Sequence, residues 1–123
     1  MPHDGDDPTC LVDEALNIVA FVMDYVEFHF NGPKFIVYSR PWVEVNGVRH
    51  TFPDAGSRDA LCLLIGQEVE RVDVAEGDRI ELGMRGGHAR LVIPLDEPLS
   101  EQAWFVPSNA RGDFRLEDSI VYR

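Results

Sequence analysis

Two glutamates in similar stretches of the chain are the first candidates for chemistry. Glu27 lies in DYVEFHF and Glu81 in DRIELGM. Two carboxylates can act as general acid and general base if their surroundings push the two pKa values apart. The alternative is that both lie on solvent-facing sides of strands, where Arg79 or Arg90 could pair with them. No recognised catalytic motif surrounds either glutamate, so the alternative is favoured and an enzyme is not the expected function.

Three histidines would form a metal site if folding brought their imidazoles together: His29, His50 and His88. His29 also follows Glu27 on the polar face of its strand and is a further candidate acid or base. None of the three belongs to an H-x-H, H-x₃-H or Cys/His motif. Scattered histidines are usually surface residues, so neither a metal nor any other cofactor is predicted.

Cys62 is a candidate nucleophile, with His29 or His50 as its base. It stands in the apolar run ALCLLIG, which is typical of an inert core thiol. A reactive cysteine needs exposed and electropositive surroundings. We therefore expect Cys62 to be buried, and both Cys10 and Cys62 to be reduced.

Aromatic residues are concentrated in the first half of the chain. Tyr25, Tyr38 and Trp42 fall outside the main apolar strand face and are predicted to lie on other faces or at an edge. Aromatic side chains at a sheet surface often mark a protein interface. The alternative is that they complete the core. These three residues are the candidate interface.

The elements that position these residues are mainly strands. Apolar and polar residues alternate in YVEFHF, with Val26, Phe28 and Phe30 on one face, as in a half-buried strand. Asn46-Gly47, between apolar runs, predicts a hairpin with a type I′ turn.

One short helix is predicted at about 57–65. Leu61, Leu64 and Ile65 recur at helical spacing, which would place all three on one buried face. Ser57 is the expected N-cap and Gly66 the expected C-cap.

Two stretches, about 17–39 and 69–94, share one order of strands and turns, which indicates an internal duplication. The predicted fold is mainly β (β-rich α+β), with two pseudo-repeated antiparallel meanders forming a sandwich or part-closed barrel. The chain is predicted to contain a mobile acidic arm (1–14), a single domain (15–109), and a C-terminal tail or edge strand (110–123).

The net charge of −11 restricts the classes of partner that this chain is expected to bind. Lys34 is the only lysine, and the arginines are spread along the sequence, so no nucleic acid binding is expected. No apolar run approaches the roughly 20 residues of a membrane helix. The acidic N-terminus lacks the features of a signal peptide, so a cytoplasmic location is expected. A basic protein partner or self-association would suit this composition.

Three segments carry a resemblance to a known family: FVMDYVEFHFNGP, PDAGSRDALCLLIG and VERVDVAEGDRIELGMRGGHARLVIPLDEP. Together they resemble a family of small actinobacterial proteins with a D-Y-V-x-[LF]-x-F-x-G strand pair, over about residues 21–106. The resemblance implies continuity of fold, and it transfers no activity and no catalytic residue. Arg85-Gly86-Gly87 stands where that pattern more often has an acidic Asp-Gly turn.

These observations favour a small acidic non-enzymatic interaction module. It could be an immunity-type protein that blocks a basic toxin or nuclease, or a homodimeric accessory protein. The alternative is a small enzyme or ligand-binding protein with a cavity between the two meanders. A concave pocket lined by Glu27, His29 or Tyr38 would favour that alternative.

Overall fold

The computed structural model describes residues 7–109 and 111–123, which contain ten strands and one α-helix. In chain order, these elements are β1 (Ile18–Val22), β2 (Tyr25–His29), β3 (Lys34–Val37), β4 (Trp42–Val45), β5 (Val48–Thr51), α1 (Ser57–Cys62), β6 (Val69–Ala75), β7 (Arg79–Met84), β8 (Ala89–Pro94), β9 (Ala103–Val106) and β10 (Ile120–Tyr122).

The strands form two five-stranded antiparallel sheets. The first sheet has the order β1-β2-β3-β9-β10, and the second has the order β5-β4-β8-β7-β6. The two sheets pack together, and the described strands do not close into a barrel. The predicted fold class is therefore confirmed, and the sandwich is the form that it takes.

β2 and β7, the middle strands of the two meanders, direct alternate side chains into one shared core. Val26 and Phe28 of β2 are fully buried, as are Ile80 and Leu82 of β7. All four belong to a single cluster of buried hydrophobic residues. Burying a side chain of this size contributes about 2 kcal/mol, so these matching positions supply a large part of the stabilisation of both sheets.

Each three-stranded meander is followed by a strand pair that joins the other sheet. β4 follows the first meander and pairs with β8 of the second, while β9 follows the second meander and pairs with β3 of the first. Each half of the chain thus contributes three strands to one sheet and two to the other. Since an isolated three-stranded unit would leave one apolar face open, this reciprocal exchange ties the halves together.

The hairpin β4–β5 turns at Asn46-Gly47 as predicted, with φ of 51° and 83°. Both angles are positive, which is the requirement of a type I′ turn and the reason why Asn and Gly stand there.

The helix differs in detail from its prediction. It ends at Cys62, its N-cap is Gly56, and Ser57 is its first residue. Leu61 and Leu64 are fully buried, whereas Ile65 is 45% exposed because the chain leaves the helix before that residue. Gly66, with φ of 90°, redirects the chain toward β6.

The ordered structure begins before residue 15, the predicted start of the domain. A 3₁₀-helix spans Pro8–Leu11, and Leu11 is fully buried. Val12 forms a bridge with Val69, and Glu14 accepts a hydrogen bond from the Val69 backbone N–H at 2.9 Å. The part of the predicted arm that the structure describes therefore packs along the edge of β6. Residues 1–6 lie outside the described residues.

The C-terminal segment takes the edge-strand form of its prediction, since β10 pairs with β9. Tyr122 is buried there, and burial raises its pKa to about 12, with smaller contributions from the charges of Asp7 and Glu76.

Candidate interaction face

Each sheet carries the same row of side chains on its outer face, consisting of a glutamate, a β-branched residue and a tryptophan on three neighbouring strands. The rows are Glu27–Ile36–Trp104 in the first sheet and Glu81–Val92–Trp42 in the second. Because successive strand residues point to opposite faces, each glutamate points away from the core that its neighbours fill. We call these the two glutamate–tryptophan rows.

Glu27 is held by two neighbours on the first sheet. Its Oε1 lies 2.8 Å from His29 Nε2 and 3.3 Å from Lys34 Nζ. Burial raises the pKa of Glu27, but the hydrogen bond with His29 and the interactions with Lys34 outweigh it, so the pKa is lowered. Phe114 packs edge-on against His29 and lies under the Lys34 ammonium. The Glu27 carboxylate is consequently kept ionised.

Glu81 is more enclosed, with only 4% of its surface exposed. Its carboxylate accepts hydrogen bonds from Arg71 at 2.6 Å, Arg90 at 3.2 Å and Arg79 at 3.3 Å. Burial raises the pKa of Glu81, but the three guanidinium groups outweigh it and lower the pKa. Pairing with both Arg79 and Arg90 is present, and Glu81 lies on the outer face of its strand as expected, but three arginines cover its carboxylate there.

Arg71 reaches Glu81 across a glycine. Gly83 lies beside Arg71 in the ladder, and a Cβ added at Gly83 would stand 2.9 Å from both Cγ and Nε of Arg71. The bare backbone at Gly83 therefore gives the Arg71 side chain the space to lie on the sheet.

The outer face of the second sheet gathers arginines that the sequence disperses. Four of them surround Glu81 and Trp42: Arg49, Arg71, Arg79 and Arg90. We call this surface the arginine face. Arg71 also pairs with Asp73, Arg79 with Asp78 at 3.0 Å, and Arg90 with Glu44 at 3.2 Å. Three of the four arginines are therefore paired with acidic side chains, while Arg49 lies over the Trp42 ring.

The geometry does not support acid–base catalysis by Glu27 and Glu81. They stand on the outer faces of different sheets, so one substrate could not contact both. Their pKa values shift in the same direction, whereas an acid and a base need values that diverge.

The remaining candidates for chemistry are dispersed. His29 lies in the first sheet, His50 in the edge strand β5 of the second, and His88 in the turn before β8. Within residues 7–109 and 111–123, no group of three metal-ligating side chains occurs. Cys62 is exposed, which contradicts the expected core position, because the burial of Leu61 and Leu64 turns Cys62 outward.

The three predicted interface residues lie on two different surfaces. Tyr25 and Tyr38 are in contact on the first sheet, with ring centroids 5.2 Å apart. Trp42 lies on the arginine face, where the guanidinium groups of Arg49 and Arg90 stand 3.7 Å and 5.1 Å from its ring centroid. The tyrosines therefore form a continuous aromatic surface, while Trp42 is covered by its own chain.

Trp104 lies on the same outer face of the first sheet as the two tyrosines and was missed by the sequence analysis. It lies in β9, which pairs with β3, and Tyr38 directly follows β3 in the chain. The Trp104 Nε1–H donates a hydrogen bond to Glu101 at 2.9 Å. The signal that could have identified it is its match with Trp42 in the two rows, but this match becomes visible only when the strand exchange is known.

Acidic side chains border the aromatic surface. Burial and the neighbouring Tyr25, followed by the charges of Glu101 and Glu27, raise the pKa of Tyr38. A cleft of about 510 Å³ beside Tyr38 is lined by Asp24, Tyr38, Leu99, Ser100 and Glu101. We call the surface formed by these residues, Tyr25 and Trp104 the aromatic–acidic face.

In the described ranges, no helix is long and apolar enough to cross a membrane. Comparisons with protein-family models, with curated proteins and with solved structures found no match.

Proposed function

We propose that this protein is a small non-enzymatic interaction module that binds a basic protein partner through its aromatic–acidic face. The observation that carries the proposal is the Tyr25–Tyr38 pair, which lies at the sheet surface beside Asp24 and Glu101. An immunity-type protein that blocks a basic toxin in the cytoplasm is one concrete form of such a module.

The composition of the face supports protein binding. Tyr38 is 40% exposed and Leu99 beside it is 41% exposed. Tyrosine and tryptophan provide large contact areas with few rotatable bonds, and they are enriched among residues that dominate binding energy. Asp24 adds a carboxylate that has no hydrogen bond or ion pair with any described residue, and this carboxylate can therefore accept a donor from a partner.

The charge supports a basic partner in preference to a second copy of the chain. A net charge of −11 attracts a cationic protein over long distances and repels an identical chain. On the arginine face, three of the four cations already have acidic partners. On the aromatic–acidic face, Glu101 is close to Arg123 only at 3.9 Å. The aromatic–acidic face therefore retains more capacity to bind a cation than the arginine face does.

Two peptides of equal charge, hexaarginine and hexalysine, provide a defined test. Titration of the isotope-labelled protein at low ionic strength, followed by NMR, should shift the resonances of Asp24, Tyr25, Tyr38 and Glu101. Affinity should fall steeply with added salt, because exposed charges are screened.

Paired variants separate the face from the overall charge. Asp24→Asn combined with Glu101→Gln should weaken binding several-fold. Glu70→Gln combined with Glu76→Gln removes the same charge from exposed positions on the second sheet and its following turn, and it should weaken binding less. Equal weakening by both pairs, or shifts centred on the arginine face, would contradict the proposal. Sedimentation should give a monomer, and a stable dimer would instead support the homodimeric accessory protein.

A small-ligand site is the second candidate, favoured by the cleft beside Tyr38. This cleft lies where the β1–β2 turn and the segment before β9 meet, and neither Glu27 nor His29 lines it. A screen of small organic cations by thermal shift tests this candidate. Stabilisation that disappears in Tyr38→Ala would support a ligand-binding protein with a site at this cleft.

A further inference from the structure

The second sheet contains a complete example of arginine recognition by a tryptophan. The Arg49 guanidinium carbon lies 3.7 Å from the Trp42 ring centroid, and that of Arg90 lies 5.1 Å from it. Arg90 Nε also donates to Glu44 at 3.2 Å. A guanidinium thus faces the indole while a carboxylate accepts its N–H groups, which is an arrangement that suits the flat and delocalised arginine cation.

The matching tryptophan of the first sheet has no such cover. Lys34 stands at the position that corresponds to Arg90, and its ammonium is directed to Glu27 and to the Phe114 ring. Val121 stands where the second sheet has Thr51, so Ser119, two residues before Val121, takes the place of Arg49. In the part of the chain that the structure describes, no cation lies over the Trp104 ring.

A carboxylate is nevertheless in place beside Trp104. Glu101 Oε1 accepts the indole N–H at 2.9 Å, which fixes the carboxylate next to the ring. Its Oε2 lies 3.9 Å from an Arg123 guanidinium nitrogen, too far for a hydrogen bond, and 38% of the Glu101 side chain is exposed. One carboxylate oxygen therefore remains able to accept from a second guanidinium.

We infer that Trp104 and Glu101 form a subsite for an arginine side chain of the partner, completing in the first sheet the tryptophan–guanidinium–carboxylate arrangement that the second sheet forms internally. This inference rests on the proposed function, since it specifies the residue that the aromatic–acidic face recognises. The guanidinium would lie on the Trp104 ring and donate to Glu101 Oε2. Lysine carries the same charge, but its ammonium is not planar and cannot stack on the ring in this way.

The experiment compares hexaarginine with hexalysine, which have equal charge. The wild-type protein should bind hexaarginine about threefold more tightly, the preference expected for one exposed cation–π contact. The chain has two tryptophans, so two indole N–H resonances can be followed separately. Hexaarginine should shift that of Trp104 and leave that of Trp42 nearly unchanged.

Substituting each tryptophan in turn shows which of the two is responsible for the preference for hexaarginine over hexalysine. Trp104→Leu should abolish the preference for arginine while hexalysine affinity stays within about twofold, and Trp42→Leu should retain the preference. Trp104→Phe keeps a ring and should retain part of it, which controls for a folding defect in Trp104→Leu.

The possible failures are distinguishable. Equal affinity of the wild-type protein for both peptides, or a preference that survives Trp104→Leu, would overturn the arginine subsite and leave the basic-partner proposal standing. If neither peptide binds, both the arginine subsite and the basic-partner proposal are overturned. An equal loss of both affinities in Trp104→Leu would assign Trp104 to the structure of the face and refute its selectivity.

Discussion

The two glutamate–tryptophan rows begin from the same pattern and end with different surfaces. In the second sheet, Glu81 binds three arginines and Trp42 lies against two of the arginines of that face, so the row is closed by its own chain. In the first sheet, Glu27 binds His29 and Lys34, and none of the described cations lies over the Trp104 ring. The difference shows how one architecture can carry a row that its own arginines cover on one sheet and a row without such a cover on the other.

Two pairs of equivalent positions contribute to the different surroundings of the two glutamates, namely His29 with Gly83 and Ile18 with Arg71. His29 of β2 corresponds to Gly83 of β7 when the similar stretches are aligned. His29 fills its own position and bonds to Glu27, whereas Gly83 leaves space for Arg71 to enter from the next strand. The local residue type therefore decides whether each glutamate is held from its own strand or from its neighbour.

The largest expected effect tests whether the two rows have equivalent cores beneath them. Phe28→Ala should lower the free energy of unfolding by about 3–5 kcal/mol, and Leu82→Ala by about 2–5 kcal/mol, because both side chains are fully buried. Urea unfolding of both variants measures this. A nearly unchanged midpoint for either variant would show that its row lacks the packing of the other.

A smaller effect should distinguish the two glutamates. Glu81→Gln should cost about 2 kcal/mol, since it weakens charge-assisted hydrogen bonds to three arginines around a nearly inaccessible carboxylate. Glu27→Gln should cost about 1 kcal/mol or less, because its ion pairs are fewer and partly exposed. Urea unfolding at neutral pH gives both values, and a larger cost for Glu27→Gln would reverse the comparison.

The pH dependence of stability provides the control for this difference. The folded-state pKa of Glu81 lies below its ordinary value of 4.5, so the ionised carboxylate stabilises the fold above that pH. This contribution is lost as the pH falls through the folded-state pKa. The stability gap between wild type and Glu81→Gln should therefore be full at neutral pH and shrink as the pH falls below 4.5, the ordinary pKa. A gap that stays constant at acidic pH would mean that the cost of the substitution does not come from the charge of the carboxylate.

The strands and their inward faces were predictable because the alternation in YVEFHF and RIELGM is a local property of the sequence. The exchange of strand pairs was not, since the pairing of β4 with β8 and β9 with β3 depends on contacts between distant segments. The sequence identified two of the arginines around Glu81 and missed Arg71. That residue follows an irregularity in the ladder between Val69 and Arg71, which no strand pattern reveals.

The orientation of side chains in short elements was equally hidden. A continuous apolar run around Cys62 predicts burial for every residue in it. The helix, however, is only six residues long and buries Leu61, with Leu64 buried just after its end, which leaves Cys62 and Leu63 outside. Residue type likewise marked Tyr25, Tyr38 and Trp42 as candidate interface residues but did not show which sheet each would join.

The smallest expected effect is also the most specific, because it predicts a change of sign. In a strand, Ala is normally favoured over Gly by about 0.5 kcal/mol or more, since Gly loses more conformational freedom on folding. At Gly83 a Cβ would stand 2.9 Å from Arg71 Cγ and would displace the side chain that bonds to Glu81. We expect Gly83→Ala to destabilise the wild-type protein by about 0.5–1 kcal/mol, the lost hydrogen bond outweighing the gain.

The Arg71→Ala background isolates the cause of that effect. In this background residue 71 ends at its Cβ, so its side chain no longer occupies the space above Gly83. Gly83→Ala should then stabilise the protein by about 0.5 kcal/mol. Urea unfolding of the single and double variants completes the cycle, and the two effects of Gly83→Ala should have opposite signs. If Gly83→Ala has the same effect in both backgrounds, the glycine does not act through Arg71, and the divergence of the two rows must originate elsewhere.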